Sequence, residues 1–214
     1  MRIGVLGTAG VGQTIATKLV ELGHEVTMGS RSAGNEKAAE WVSGAGEGAS
    51  EGSFADAAAH GEMLFNCTAG TASVDALRAA GDEELRGKVL VDVANALDFS
   101  QGMPPTLTVC NDDSLGEQIQ RAFPDTRVVK ALNTVTSSVM VDPIDGTNLF
   151  ICGDDAGAKQ EVADLLAGFG WPAGSIVDLG GIEAARGTEM YLPLWLRLMG
   201  AQGTPQFNIA VVRG

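Results

Sequence analysis

Arg2-Ile3-Gly4-Val5-Leu6-Gly7-Thr8-Ala9-Gly10-Val11-Gly12 opens the chain with a short apolar run that passes directly into a glycine-rich turn. Arg2 to Leu6 predicts a strand. From about Val11 to Leu22, Ile15, Leu19 and Leu22 recur at helical spacing and Gly23 stands as the stop. A strand entering a helix through such a turn is the phosphate-binding corner of a dinucleotide fold: the turn must be tight, the backbone must approach a pyrophosphate, and the helix must pack closely on the strand. The first-turn amides and the positive end of the helix dipole then face the phosphates. In the usual register Gly7, Ala9 and Gly12 take the three glycine positions, so the middle one carries a methyl, with Gly10 beside it. Either Gly10 takes the close contact or the pyrophosphate sits higher.

The second strand, His24 to Met28, runs into Gly29-Ser30-Arg31-Ser32. An acid at this strand end would hydrogen-bond the adenosine ribose of NAD. Here there is none, whereas Ser30 can donate to a 2′-phosphate and the Arg31 guanidinium can pair with it and stack on adenine. The expectation is NADP over NAD, with Asn35 and Lys37 within reach of the same phosphate.

The rest of the chain repeats the strand–helix rhythm. Helices are expected over Glu36 to Val42, Phe54 to His60, Ala72 to Ala80, Leu115 to Phe123 and Ala156 to Phe169. Strands are expected over Glu62 to Cys67, Lys88 to Val93, Arg127 to Leu132, Asn148 to Cys152 and Ser175 to Leu179. Gly44 to Gly52 reads as a glycine-rich connection. A last helix, Glu183 to Met199, leads to a terminal strand at Phe207 to Val212. The pattern predicts an α/β protein: a Rossmann-type doubly wound parallel sheet with a small C-terminal helical/strand lobe. A dinucleotide-binding unit over 1–134 is followed by 135–214, which extends the sheet and adds the lobe. Ligands of such sheets bind at the strands' carboxyl ends, which nominates Cys67-Thr68-Ala69, Ala94-Asn95 and Asn133-Thr134-Val135. Asn95 and Asn133 are equally good turn formers. The irregular Ala94 to Cys110, with Pro104-Pro105, is a connection of the kind that lies over a ligand site.

Composition narrows the function class. Against 27 acidic residues stand 14 basic ones, a formal charge of −13 over 214 residues, with no basic run. Such a field repels phosphate backbones and anionic lipid, so no nucleic-acid partner is expected, and an anionic nucleotide must be held by local donors. Three cysteines without C-x-x-C spacing argue against a disulfide framework or a metal site and fit a reducing cytoplasm. The most apolar late segment, Met190 to Met199, is far shorter than a membrane span and contains Arg197.

With these residues placed, the sequence resembles the NADPH-dependent coenzyme F420 reductases. The resemblance is carried by Leu6-Gly7-Thr8 with its turn, Leu22-Gly23-His24-Glu25-Val26 leading to Gly29-Ser30-Arg31, and Val128-Val129-Lys130-Ala131-Leu132-Asn133-Thr134. Cys152-Gly153-Asp154-Asp155 and Leu192-Pro193-Leu194 add to it. It spans nearly the whole chain and implies NADP(H) and coenzyme F420 as cofactors, with hydride exchange between the nicotinamide and an 8-hydroxy-5-deazaflavin ring. Both reacting carbons belong to cofactors, so no catalytic side chain is expected. By the same resemblance Thr8 to Val11 hold the pyrophosphate, Ser30 and Arg31 the 2′-phosphate, and Asn133, Thr134, Val135 and Ser137 lie near the two rings. Some members carry His where Asn133 stands, and a lysine where Asn35 stands. The lobe's apolar run, wider than one buried stripe needs, is expected to cover the second substrate or a partner subunit, with burial in its own core as the alternative; exposed apolar surface favours a homodimer, and Arg186 and Arg197 are candidates for the deazaflavin's anionic tail. Reduction of a flavin or small imine, or a non-catalytic NADPH-sensing role, are the alternatives on the same fold.

Overall fold

The computed structural model describes residues 1–214. In chain order the elements are β1 (Arg2–Leu6), α1 (Gly10–Glu21), β2 (Glu25–Ser30), α2 (Glu36–Ala45), β3 (Ala49–Ser53), α3 (Phe54–His60), β4 (Met63–Asn66), α4 (Ser73–Ala80), α5 (Asp82–Leu85) and β5 (Val89–Asp92). They continue with β6 (Leu97–Asp98), β7 (Thr106–Leu107), α6 (Leu115–Ala122), β8 (Arg127–Lys130), α7 (Ser137–Val141), β9 (Leu149–Ile151), α8 (Ala156–Gly168), β10 (Ile176–Asp178), α9 (Ala185–Met190) and α10 (Leu192–Gln202).

Six parallel strands form the sheet in the order β3-β2-β1-β4-β5-β8, so the chain winds outward from β1 in both directions. That is the doubly wound Rossmann arrangement, and its crevice opens between β1 and β4, where the strand order reverses. β4 and β5 are buried end to end, and β1 is buried from Ile3 to Leu6. One apolar cluster built on Ile3, Val5, Met28, Phe65 and Val91 covers one face, and another built on Leu6, Leu64, Leu90 and Ala57 covers the other. Burial on both faces explains why β4 and β5 read as unbroken apolar runs.

Four expectations are corrected. The glycine-rich Gly44 to Gly52 contains the start of β3, paired with β2 from Val26↔Ala49 to Ser30↔Ser53. A strand pattern is invisible there because this edge strand, Ala-Ser-Glu-Gly-Ser, buries only Gly52. The segments expected to extend the sheet, β9 and β10, pair with each other in parallel and touch the main sheet through one antiparallel bridge, Lys130↔Cys152. The expected strand at Phe207 to Val212 has no ladder. Its amides are met singly: Val211 N donates to Asn148 Oδ1 at 2.7 Å, and Asn148 N donates to Ile209 O at 2.9 Å. The last helix is two, α9 and α10, divided at Tyr191 with Pro193 in the first turn of α10.

Candidate functional site

The turn after β1 resolves the choice posed by its sequence. A side chain at Gly7 would lie 2.6 Å from Cys67 O and one at Gly12 only 2.2 Å from Gly7 O, whereas one at Gly10 would meet nothing within 4 Å. Gly7 and Gly12 are therefore packing glycines, and Gly10 is the residue that leaves the helix end open. No side chain caps α1 and no acid sits in its first turn, so its positive end is available to an anion.

A groove of about 200 Å³ runs from this turn to the end of β2, lined by Gly7, Thr8, Ala9, Ser30, Arg31 and Asn35, among others. Arg31 is exposed and has no ion-pair partner. Ser30 Oγ donates to Ser32 O at 2.6 Å, which fixes the loop that presents Arg31. Asn35 Oδ1 accepts from Lys37 N and Ala38 N as the N-cap of α2, so its oxygen is committed to the helix and only its amide N–H groups can serve a ligand.

The groove shares Ala9 and Cys67 to Ala69 with a larger cleft of about 640 Å³ over the carboxyl ends of β1, β4, β5 and β8. Val11, Cys67, Thr68 and Ala69 line one part of it, Ala94 and Asn95 another, and Asn133, Thr134, Val135 and Ser137 a third. Leu97 and Phe99 reach it from the irregular connection after β5, Leu192 and Trp195 from α10. The nominated strand ends thus converge on one cavity. Arg186 does not take part: Glu117 receives its Nε at 2.9 Å and Nη2 at 2.7 Å. Arg197 is exposed on the far side of α10, beside Met103 and Pro104.

What the sequence did not disclose is the buried polar row that backs the cleft as its supporting floor, without itself lining the cavity. Asn66, Asp92 and Lys130 occupy one row of the sheet register, each the partner of the next, so their side chains leave the same face side by side. Asn66 Nδ2 donates to Asp92 Oδ1 at 2.8 Å, and Lys130 Nζ donates to Asp92 Oδ2 at 2.8 Å and to Ala94 O. Lys130 also meets Glu189 Oε1 at 2.8 Å. Glu189 in turn accepts from Leu115 N at 2.8 Å and Gly116 N at 3.0 Å, placing its charge at the N-terminus of α6. Burial opposes the Lys130 charge, but Asp92 and Glu189 outweigh it and hold the amine above its ordinary pKa. Thr68 hangs from the same network through Asn66 Oδ1, at 2.7 Å.

At the end of β8 the backbone turns sharply. Leu132 is buried and adopts a φ of 64°, a left-handed conformation that costs a branched residue about 1–3 kcal/mol. The turn swings Asn133 into reciprocal amide contact with Asn95: Asn133 Nδ2 donates to Asn95 Oδ1 at 3.0 Å and Asn95 Nδ2 to Asn133 O at 2.9 Å. Four buried side-chain atoms have no hydrogen-bond partner, namely Asn133 Oδ1, Thr134 Oγ1, Tyr191 OH and Trp195 Nε1. Three belong to residues of the cleft wall, where unmet polar groups suit a polar, flat ligand. The open Gly10, the unpaired Arg31 and these orphaned atoms fit a phosphorylated dinucleotide and a second heterocycle.

A family model described as NADP oxidoreductase, coenzyme F420-dependent, matches residues 2–96. The F420-dependent NADP reductase of Methanothermobacter marburgensis is 30% identical over 216 residues, covering 92% of each chain. This chain belongs to the F420-dependent NADP reductase family. NADP-dependent oxidoreductases make up that family, and NADP(H) and coenzyme F420 are the cofactors it implies. A crystal structure of a candidate F420-dependent NADP reductase from Arthrobacter sp. FB24 superimposes with a TM-score of 0.94, at 50% identity and full coverage of both chains. The rat Metalloreductase STEAP3 is 28% identical over 200 residues, and there the chain spans 38% of the relative's length. No helix of this reductase-family chain is long and apolar enough to cross a membrane.

Proposed function

We propose that this protein exchanges a hydride between NADP(H) and coenzyme F420 in the cleft over β1, β4, β5 and β8. The observation that carries the reading is the chemistry of the cleft wall, where Cys67 is the one titratable side chain and burial, with Asp92 nearby, raises its thiol pKa so that it stays protonated. The hydride step itself runs from carbon to carbon and needs no general acid or base, and the one proton that balances the reaction, gained at a ring nitrogen of the reduced deazaflavin, would come from solvent, so such a wall suits it. When bound, the two rings supply the donor and acceptor carbons themselves, C4 of nicotinamide and C5 of the deazaflavin.

The chain's own residues would then bind, align and dehydrate. Arg31 would pair with the 2′-phosphate, the α1 terminus at Gly10 would receive the diphosphate, and the strand ends would bed the nicotinamide. The polar row Asn66–Asp92–Lys130 would keep the floor rigid, and α10 would close the far side, limiting water around the reacting carbons. A homodimer and a cytoplasmic setting complete the proposal. The exposed Met190 and Leu194 of the lobe support a second copy, and the unbridged cysteines support reducing surroundings.

The test is spectrophotometric: purified protein with NADPH and, separately, F420, FMN or FAD. Oxidation of NADPH with F420 at rates well above those with either flavin supports the proposal. Turnover with FMN or FAD alone would make it a flavin reductase, and none with any would make it a sensor.

A further inference from the structure

Trp195 differs from the other two tryptophans. Trp41 Nε1 donates to Thr17 Oγ1 at 3.0 Å and Trp171 Nε1 to Met140 O at 2.9 Å, each satisfied within the fold. Trp195 Nε1 is buried, unpartnered, and belongs to a residue of the cleft wall. Buried indole N–H groups normally find an acceptor, and an unmet one costs about 1–3 kcal/mol. The ring is also held in place: it stacks on Phe207 with centroids 5.4 Å apart and planes inclined by 23°. Phe207 lies in a terminal segment anchored by Gln206 Nε2 to Ser138 Oγ at 2.6 Å and by Asn208 Nδ2 to Asn148 O at 2.9 Å. A donor that is buried, immobilised and unsatisfied is set for a ligand acceptor.

We infer that Trp195 is a substrate-binding residue whose indole N–H donates to the heteroatom edge of a flat, carbonyl-bearing heterocycle, the second substrate of the cleft. Asn133 Oδ1, an acceptor, and Thr134 Oγ1, a donor or acceptor, stand unpartnered in the same wall and complement a ring edge that alternates C=O with N–H, as a pyrimidinedione does. The nucleotide enters from the α1 turn and the strand ends, while Trp195 comes from the lobe. Its ligand is therefore the ring that stacks on the nicotinamide. This inference rests on the proposed two-cofactor reaction, and it names the residue that would set the specificity of its second half.

Trp195→Phe keeps an aromatic face on Phe207 and deletes the donor together with the fused ring that carries it. Calorimetric titration of the intact protein is expected to show F420 affinity falling roughly tenfold, the cost of one unmet buried acceptor, with NADP⁺ affinity unchanged. Unchanged F420 affinity, or equal losses for both ligands, would overturn the assignment. Should the variant fold poorly, the wild-type protein with ¹⁵N-labelled tryptophan supplies the second readout. On saturation with F420, the Trp195 indole N–H resonance is expected to move while those of Trp41 and Trp171 stay; a static Trp195 signal overturns it. If the wild type binds FMN and not F420, the proposed reaction fails, and the same titration with FMN decides the role of Trp195: a tenfold loss supports it and none removes it. Binding of neither ring by the wild type overturns both.

Discussion

Lys130 of β8 and Glu189 of α9 form an ion pair at 2.8 Å in which both side chains are shut off from solvent. Since Lys130 also holds Asp92 at 2.8 Å, its amine joins the sheet floor to the lobe that covers it. A lysine buried between two carboxylates and a carbonyl has no alternative partners, so removing it leaves negative charge uncompensated. Lys130→Met is expected to destabilise the protein by roughly 3–5 kcal/mol, read as a lowered urea midpoint. A variant within 1 kcal/mol of wild type would show that the pair does not hold lobe and sheet together.

The region where α6 meets the lobe also answers to pH. Arg186 holds the Glu117 carboxyl below its ordinary range, and Arg121 with Gln118 lowers Asp113 to about 2. Groups depressed in the folded state stabilise it above the ordinary carboxylate pKa, and that contribution fades as pH falls through this range toward about 2. Lys130 is raised, so its contribution is full below the ordinary lysine value and lost only as pH climbs past it. Thermal melts should therefore fall off below about pH 4.5, and Glu117→Gln should flatten that acid limb while leaving neutral pH less stable. An identical acid limb in the variant would contradict the assignment.

Gly10 and Gly12 should respond oppositely to alanine. At Gly10 the methyl enters open space at the start of α1, so melting is preserved and NADPH binding weakens. At Gly12 it would collide with Gly7 O, so the fold itself loses stability. Calorimetry and thermal melts on both variants separate the two effects. Undiminished NADPH binding by Gly10→Ala would place the diphosphate elsewhere.

Arg31→Ala removes a charge-assisted partner of the 2′-phosphate. A loss of about 1.5–3 kcal/mol, roughly tenfold to a hundredfold in affinity, is expected for NADPH and little for NADH. Equal losses for the two nucleotides would refute the cofactor choice.

The parts of this site legible in the sequence are those encoded locally. The turn from Gly7 to Gly12 declares itself because backbone sterics demand glycine, and Arg31 declares itself by standing where an acid would otherwise be. Phe54–His60 was readable to the residue; the structure shows it opened by a capping box between Ser53 and Asp56. The floor was not legible, because the adjacency of Asn66, Asp92 and Lys130 is a property of parallel register between strands distant in sequence. Lys130 could be quoted in Val128 to Thr134 without its partners being knowable. Leu132 gave no sign either, since a left-handed turn at a non-glycine residue is imposed by the packing around it. Phe207 to Val212 misled because alternating apolar residues describe a strand equally well when isolated contacts with Asn148, and no ladder, meet the backbone.

Isotope transfer tests the proposed reaction at its centre. NADPH deuterated at the transferring C4 position is mixed with protein and oxidised F420 in the absence of oxygen, and the reduced deazaflavin is analysed by mass spectrometry. Direct exchange in a dry cleft predicts that the deuterium arrives at C5 of the deazaflavin without dilution by solvent protons. Reduced F420 lacking the label, or no reduced F420 while the protein still binds NADPH, would contradict it.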